Sequence, residues 1–96
     1  MIRSFENRGT EDVFDGSDSK AARKTLPGEL HENAGKKMDR LNSALSLRSL
    51  SLPGLRLEAL VGDRKGQHSI RINNQYRICF KWTEGGAEKV EIVDYH

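Results

Sequence analysis

The stretch Glu91-Ile92-Val93-Asp94-Tyr95-His96 carries an alternating strand pattern into a carboxylate, a phenol and an imidazole. A carboxylate can orient a neighbour, a phenol can stack or donate a hydrogen bond, and an imidazole with an unperturbed pKa near ~6.5 can carry a proton at neutral pH. As the final residue, His96 sets a second carboxylate beside its ring, which favours the protonated form and so an acid over a base. The plain alternative is an idle, solvated end, since chain termini commonly fray. A short way upstream, Arg71, Arg77 and Lys81 recur at even spacings. Cations fixed beside proton-transfer groups suit chemistry on an anionic substrate.

Strands must position these groups. "QHSIRI" alternates, "NN" reads as a two-residue turn because asparagine tolerates positive φ, and "QYRICFKW" alternates again. "TEGGAEK" reads as a second, looser turn before the strand "VEIVDY". Parity puts Tyr76, Ile78, Phe80 and Trp82 on one face and Gln75, Arg77, Cys79 and Lys81 on the other. Ile70 and Ile72 then face the core while Ser69 and Arg71 face outward; Val90, Ile92 and Asp94 share one side of the last strand, Glu91, Val93 and Tyr95 the other.

The sheet needs a cover. Leu30, Ala34, Met38, Leu41 and Leu45 recur at steps of three and four, predicting a helix over 29–47 with those residues on its buried stripe. Thr10-Glu11-Asp12 reads as a hydroxyl-capped helix start, with Gly16 placed to end that helix. "MIRSF" reads as a short edge strand, and "GSDSKAARKTLPG", residues 16–28, as a mobile basic loop. Leu55, Leu57 and Leu60 are expected to anchor the segment after Pro53-Gly54. The expected fold is therefore α+β: a small twisted, antiparallel-rich sheet of a short N-terminal strand plus three C-terminal strands, packed by two N-terminal helices, in a single domain over 1–96.

Composition narrows the options. With 96 residues there is room for one domain with a small core. The net charge of +2 divides unevenly: zero over 1–27, +5 over 28–81 and −3 over 82–96. A basic middle can hold a polyanion by its phosphates, or be a solvated surface. The one cysteine, Cys79, rules out an intrachain disulfide. The N-terminal stretch lacks the apolar run of a signal peptide, and no segment approaches a membrane span, so a cytoplasmic protein is expected. His31, His68 and His96 lack ligand spacing, which leaves a metal-dependent hydrolase weakly supported; no metal site and no cofactor are expected.

"LPGLRLEALVGDRKGQHSIRINNQYRICFKW" followed by "VEIVDYH", together with the opening "MIRSF", resembles the HigB toxins of bacterial toxin–antitoxin operons, a branch of the RelE superfamily, and within it the GraT type. The resemblance covers the region from about Leu47 onward and the N-terminal stretch; 16–28 falls outside it. It implies a RelE-like fold and metal-free cleavage of messenger RNA in the ribosomal decoding site. It also implies a helix-turn-helix antitoxin encoded by the adjacent downstream gene, and binding of operator DNA only through the toxin–antitoxin complex.

Such cleavage needs a base for the ribose 2′-hydroxyl, a cation for the phosphoryl charge, an acid for the leaving 5′-oxygen, and a hold on the nucleotide. On the resemblance, Arg77 supplies the cation, since a guanidinium can grip two phosphate oxygens; the alternative is a surface arginine pairing with Glu91. His96 supplies the acid, Tyr95 stacks on a base or bonds the phosphate, and Asp94 orients a neighbour, although its parity points inward. Glu58, where relatives carry histidine, is the candidate base; Val61 stands where relatives carry lysine, which removes a cation. Arg56, Lys65, Arg71, Lys36 and Lys37 are candidate RNA contacts, as is His68, which parity otherwise places at the core margin. The competing reading is a binding module that inhibits the ribosome, or co-represses with its antitoxin, without cutting RNA.

Overall fold

The computed structural model describes residues 1–95; His96 lies outside the described residues. Four strands, β1 (Glu58–Ala59), β2 (His68–Arg71), β3 (Tyr76–Thr83) and β4 (Gly86–Asp94), form an antiparallel sheet in sequence order. The N-terminal stretch lies along the free edge of β4 through two parallel bridges, Ile2 to Ala87 and Phe5 to Val90. Three helices, α1 (Arg8–Asp15), α2 (Lys20–Thr25) and α3 (His31–Ser43), complete the described elements with three short 3-10 turns. Ala34, Met38 and Leu41 of α3, Val13 of α1, Ala22 of α2 and Leu26 just after it pack with Ile70, Ile78, Phe80 and Val90 in one core.

Several expectations are corrected. The first helix starts earlier than Thr10: Asn7, in an extended conformation, accepts a hydrogen bond from the Thr10 amide at 2.8 Å. Asparagine caps as well as threonine does, and this frees the Thr10 hydroxyl for another task. Thr10 is fully buried, and its Oγ1 accepts from the Ile92 amide at 3.1 Å, satisfying a β4 donor beyond the last N-terminal bridge. Gly16 ends the helix as expected, with φ at +76°.

The expected basic loop at 16–28 instead contains α2. Ser19 Oγ caps it by accepting from the Ala22 amide at 3.0 Å and donates to Asp12 Oδ2 at 2.6 Å, while Ala22 and Leu26 are fully buried. The Ser19 hydroxyl, aided by Arg8, holds the Asp12 carboxyl below its ordinary pKa against the opposing effect of burial. Helices α1 and α2 meet at Gly9, where a Cβ would lie 2.7 Å from the Ala21 carbonyl oxygen.

The long helix ends at Ser43, whose hydroxyl donates to the Asp39 carbonyl at 3.0 Å; the extended Ala44 then turns Leu45 outward. Leu45, expected in the core, is 90% exposed, and Leu50 and Leu55 are buried in the segment that follows.

The turns also differ from expectation. Asn73 does not adopt positive φ; its Oδ1 accepts from the amides of Gln75 and Tyr76 at 2.9 and 2.8 Å, and the Ile72 amide bonds the Tyr76 carbonyl around a three-residue connection. The looser turn is in fact the tight one, with Glu84 and Gly85 at φ +44° and +79° between paired Thr83 and Gly86. A bulge sets Lys89 and Val90 against Phe80, with Lys89 at φ +54°. The extra residue lets both Ala87 and Val90 enter the core, although their parity differs.

Candidate active site

Arg77 is the centre of the face away from the helices. It stands on β3 with Val93 of β4 opposite on one side and Arg71 of β2 opposite on the other. Its Nε donates to Ser69 Oγ at 2.7 Å, and its Nη2 donates to the Arg56 carbonyl at 2.7 Å and approaches the Ser69 carbonyl at 3.5 Å. Glu58 Oε1 lies 3.7 Å from Nη2, and the Tyr95 ring centroid 5.6 Å from the guanidinium carbon. Only 12% of the Arg77 side chain is exposed, against 53% for Glu58. An open groove of about 330 Å³ is lined by Arg56, Leu57, Glu58 and Arg77.

Backbone geometry assembles this cluster. Glu58 pairs with Ser69 in register, so β1 brings its carboxylate to the face that carries Arg77. The preceding residue but one, Arg56, has φ +45°, a left-handed conformation that costs a non-glycine residue roughly 1–3 kcal/mol. That conformation accompanies the carbonyl that receives Arg77. At the other end, the Tyr95 amide donates to the Gln75 carbonyl at 2.6 Å, which extends the last strand far enough to lay the phenol ring beside the guanidinium. Arg71 faces Arg77 directly, a like-charge pair that an anion would relieve; the Arg71 guanidinium bonds Asn74 Oδ1.

The structure thus joins Arg77, Tyr95, Glu58, Arg56 and Arg71. The alternative pairing of Arg77 with Glu91 is not seen. Glu91 stands opposite Cys79 and pairs instead with Arg64 at 3.2 Å. Arg64, which also bonds Gln67 at 3.2 Å, sits within the "GDR" of the family-like stretch, where no strand or helix periodicity marks it. Cys79, expected on an open face, is fully buried, and that burial raises its thiol pKa, with Glu91 acting in the same direction and Arg64 and Arg77 against it.

Other predicted residues lie elsewhere. Asp94 is exposed rather than inward; it pairs with Tyr76, on the opposite side of the sheet from Arg77, and accepts from Gln75 Nε2 at 3.1 Å. His68 stands opposite Phe80 and its ring lies 6.3 Å from that ring at 25°, on the core face, with Nδ1 buried and without a hydrogen-bond partner in the described structure. It is therefore placed as core margin, not beside Arg77. Lys65 is exposed at the end of the 3-10 turn Gly62–Arg64. Lys36 and Lys37 lie on α3, where Lys36 approaches Glu32 at 3.8 Å and Lys37 reaches the Gly54 carbonyl at 3.4 Å. His96 lies outside the described residues. A separate cavity of about 610 Å³ beside α1 and α3 includes Lys36 but none of the residues around Arg77. Among the described residues, no cluster of three or more His, Cys, Asp or Glu side chains is arranged to hold a metal ion, and no helix is long and apolar enough to cross a membrane.

Residues 3–96 match the family model for the RelE-like toxin of type II toxin–antitoxin system HigB. Toxin HigB-1 of Vibrio cholerae is 34% identical over 88 residues, spanning 91% of this chain and 90% of that protein. Endoribonuclease HigB of Proteus vulgaris is 27% identical over 96 residues and the full length of both. The fold is similar to a chain of the YoeB-YefM complex from Staphylococcus aureus, with a TM-score of 0.62 at 10% identity, covering 100% of this chain and 98% of that one. This chain therefore belongs to the HigB family of RelE-like toxins of type II toxin–antitoxin systems.

Proposed function

We propose that this toxin is an endoribonuclease that cuts messenger RNA in the decoding site of the ribosome, without a metal, and is neutralised by a cognate antitoxin. The observation that carries the reading is Arg77: a largely buried guanidinium held beside an exposed carboxylate and a phenol at the rim of an open groove. The name of the Proteus vulgaris relative supports ribonuclease activity.

In this reading the ribose 2′-oxygen attacks the adjacent phosphorus and the bond from phosphorus to the 5′-oxygen breaks. Glu58 leaves its pairing with Arg77 to take the 2′-hydroxyl proton. Arg77 steadies the charge that grows on the phosphoryl oxygens, as a donor already held in place by its own chain. Tyr95 stacks on the base or bonds the phosphate, Asp94 orients the chain end through its bond with Gln75, and His96 returns a proton to the departing oxygen. The products are a 2′,3′-cyclic phosphate and a 5′-hydroxyl. Arg56 and Arg71 hold flanking phosphates beside Arg77; Lys65, Lys36 and Lys37 extend the contact to the ribosome. The antitoxin is a helix-turn-helix protein from the adjacent downstream gene, and operator DNA is bound only by the complex.

Expression of the chain alone in bacteria tests the proposal: growth arrest with new message 5′ ends is expected, and normal growth with intact messages sinks it. The second reading, an inhibitor that binds without cutting, draws on Val61, an 84% exposed apolar residue on the groove's own segment. Purified ribosomes carrying a defined message separate the two, because binding without cleavage selects the second.

A further inference from the structure

The guanidinium of Arg77 is not simply near the groove; it is held on two sides by its own chain. Nε donates to a hydroxyl at 2.7 Å and Nη2 to a carbonyl at 2.7 Å. Among the described residues Nη1 has no hydrogen-bond partner, which makes it the nitrogen available to a phosphate oxygen. This leaves the arginine one nitrogen, with its two N–H groups, for a phosphate, rather than the side-on grip that uses two nitrogens.

The Nε partner is Ser69. It is fully buried, it lies on the middle of β2 opposite Cys79, and its hydroxyl has no other bonded partner in the described structure. A buried serine needs an acceptor or a donor, and an alanine would pack there without one. We infer that Ser69 is a positioning residue for the reaction: its hydroxyl, together with the Arg56 carbonyl, fixes the plane of the Arg77 guanidinium so that Nη1 points to the scissile phosphate. This inference rests on the proposed role of Arg77. The reason for a two-point hold is mechanical. One bond lets a guanidinium swing about its long side chain; two bonds on different nitrogens fix both the plane and the direction of the remaining N–H groups. Arg56, in its left-handed conformation, supplies the second point from a separate segment, so the orientation depends on the docking of 56–58 against β2.

The test uses the full-length chain on ribosomes loaded with a defined message. Ser69→Ala is expected to slow single-turnover cleavage on the order of 10- to 100-fold, the scale that a misplaced catalytic group produces. Binding of a message with a 2′-deoxy nucleotide at the cleaved position should stay unchanged. Ser69→Thr, which keeps the hydroxyl, should recover most of the rate. In an Arg77→Lys background, which has no Nε–H for the hydroxyl to accept, Ser69→Ala should cost nothing further, whereas a merely structural role would cost the same in both. Should Ser69→Ala fail to fold, the wild-type protein still decides the matter by NMR: the Arg77 Nε–H should exchange far more slowly than those of exposed arginines. Full-speed cleavage by Ser69→Ala, or fast exchange at that Nε–H, overturns the inference while leaving the role of Arg77 intact. Full-speed cleavage by Arg77→Ala overturns the underlying reading itself.

Discussion

The two faces of β3 are one peptide bond apart and are built for different ends. Ile78 and Phe80 point under the helices and are fully buried among aliphatic groups. Arg77 and Cys79 point the other way, and Arg77 is nearly as enclosed, yet its surroundings are a hydroxyl, two carbonyls, a carboxylate and a phenol. Burial alone does not distinguish core from site. What distinguishes them is that Ile78 and Phe80 bury apolar surface alone, while Arg77 brings a charged donor to a groove.

That contrast can be broken experimentally. On the core face, Phe80→Ala should cost about 3–5 kcal/mol of stability, which is most of what a small domain has; thermal melting reads it, and a loss below 1 kcal/mol means the core is misassigned. On the site face, Arg77→Ala should reduce message cleavage roughly 100- to 1,000-fold, as for other preorganised charge-stabilising donors, with a melting shift far smaller than that of Phe80→Ala. A variant that melts as badly as Phe80→Ala would erase the distinction between the faces. The contact between α1 and α2 gives a gentler, pH-dependent effect. Because the Asp12 carboxyl titrates below its unfolded value near ~3.9, its contribution is present above that pH and fades as pH falls through the folded value. Acid titration of wild type against Asp12→Asn should show the wild type losing its advantage only in that acid window; parallel curves there would remove the Ser19–Asp12 bond from the account. The smallest effect belongs to Leu45: at 90% exposure, Leu45→Ser should shift stability by no more than about 0.5 kcal/mol, and a core-sized loss would restore it to the stripe.

The same contrast explains what was legible in the residues. The alternation of β3 from Ile78 to Phe80, that of β4 from Val90 to Val93 and the stripe from Ala34 to Leu41 are local, repeated signals, and the core-facing residues follow them. The face that carries Arg77 was legible too, because parity depends only on neighbours along the strand. Parity also put Arg71 and Tyr95 on that face, but the contacts made by the carboxylates were not legible. Glu58 reaches Arg77 through a two-residue strand whose register no local pattern announces, and Glu91 is diverted to Arg64 by the same long-range pairing. Helix α2 was hidden by a composition of serine, lysine and glycine; its anchors are only Ala22 and Leu26, and its cap, Ser19, looks like any loop serine. Asn73 shows a third kind of miss. An asparagine in a turn suggested a backbone at positive φ, yet here its side chain acts as the acceptor.

The pairing of the N-terminal stretch with β4 has a temporal consequence. The Lys89 amide bonds Ser4 Oγ at 2.9 Å, and the Arg3 amide bonds the Ala87 carbonyl at 2.7 Å, across more than eighty intervening residues. During synthesis the first strand-like segment has nothing to pair with until residue 90 has left the ribosome, so the sheet closes late. A nascent copy thus stays only partly folded until the residues of β4 have emerged, because its N-terminal stretch has no sheet edge to join before then.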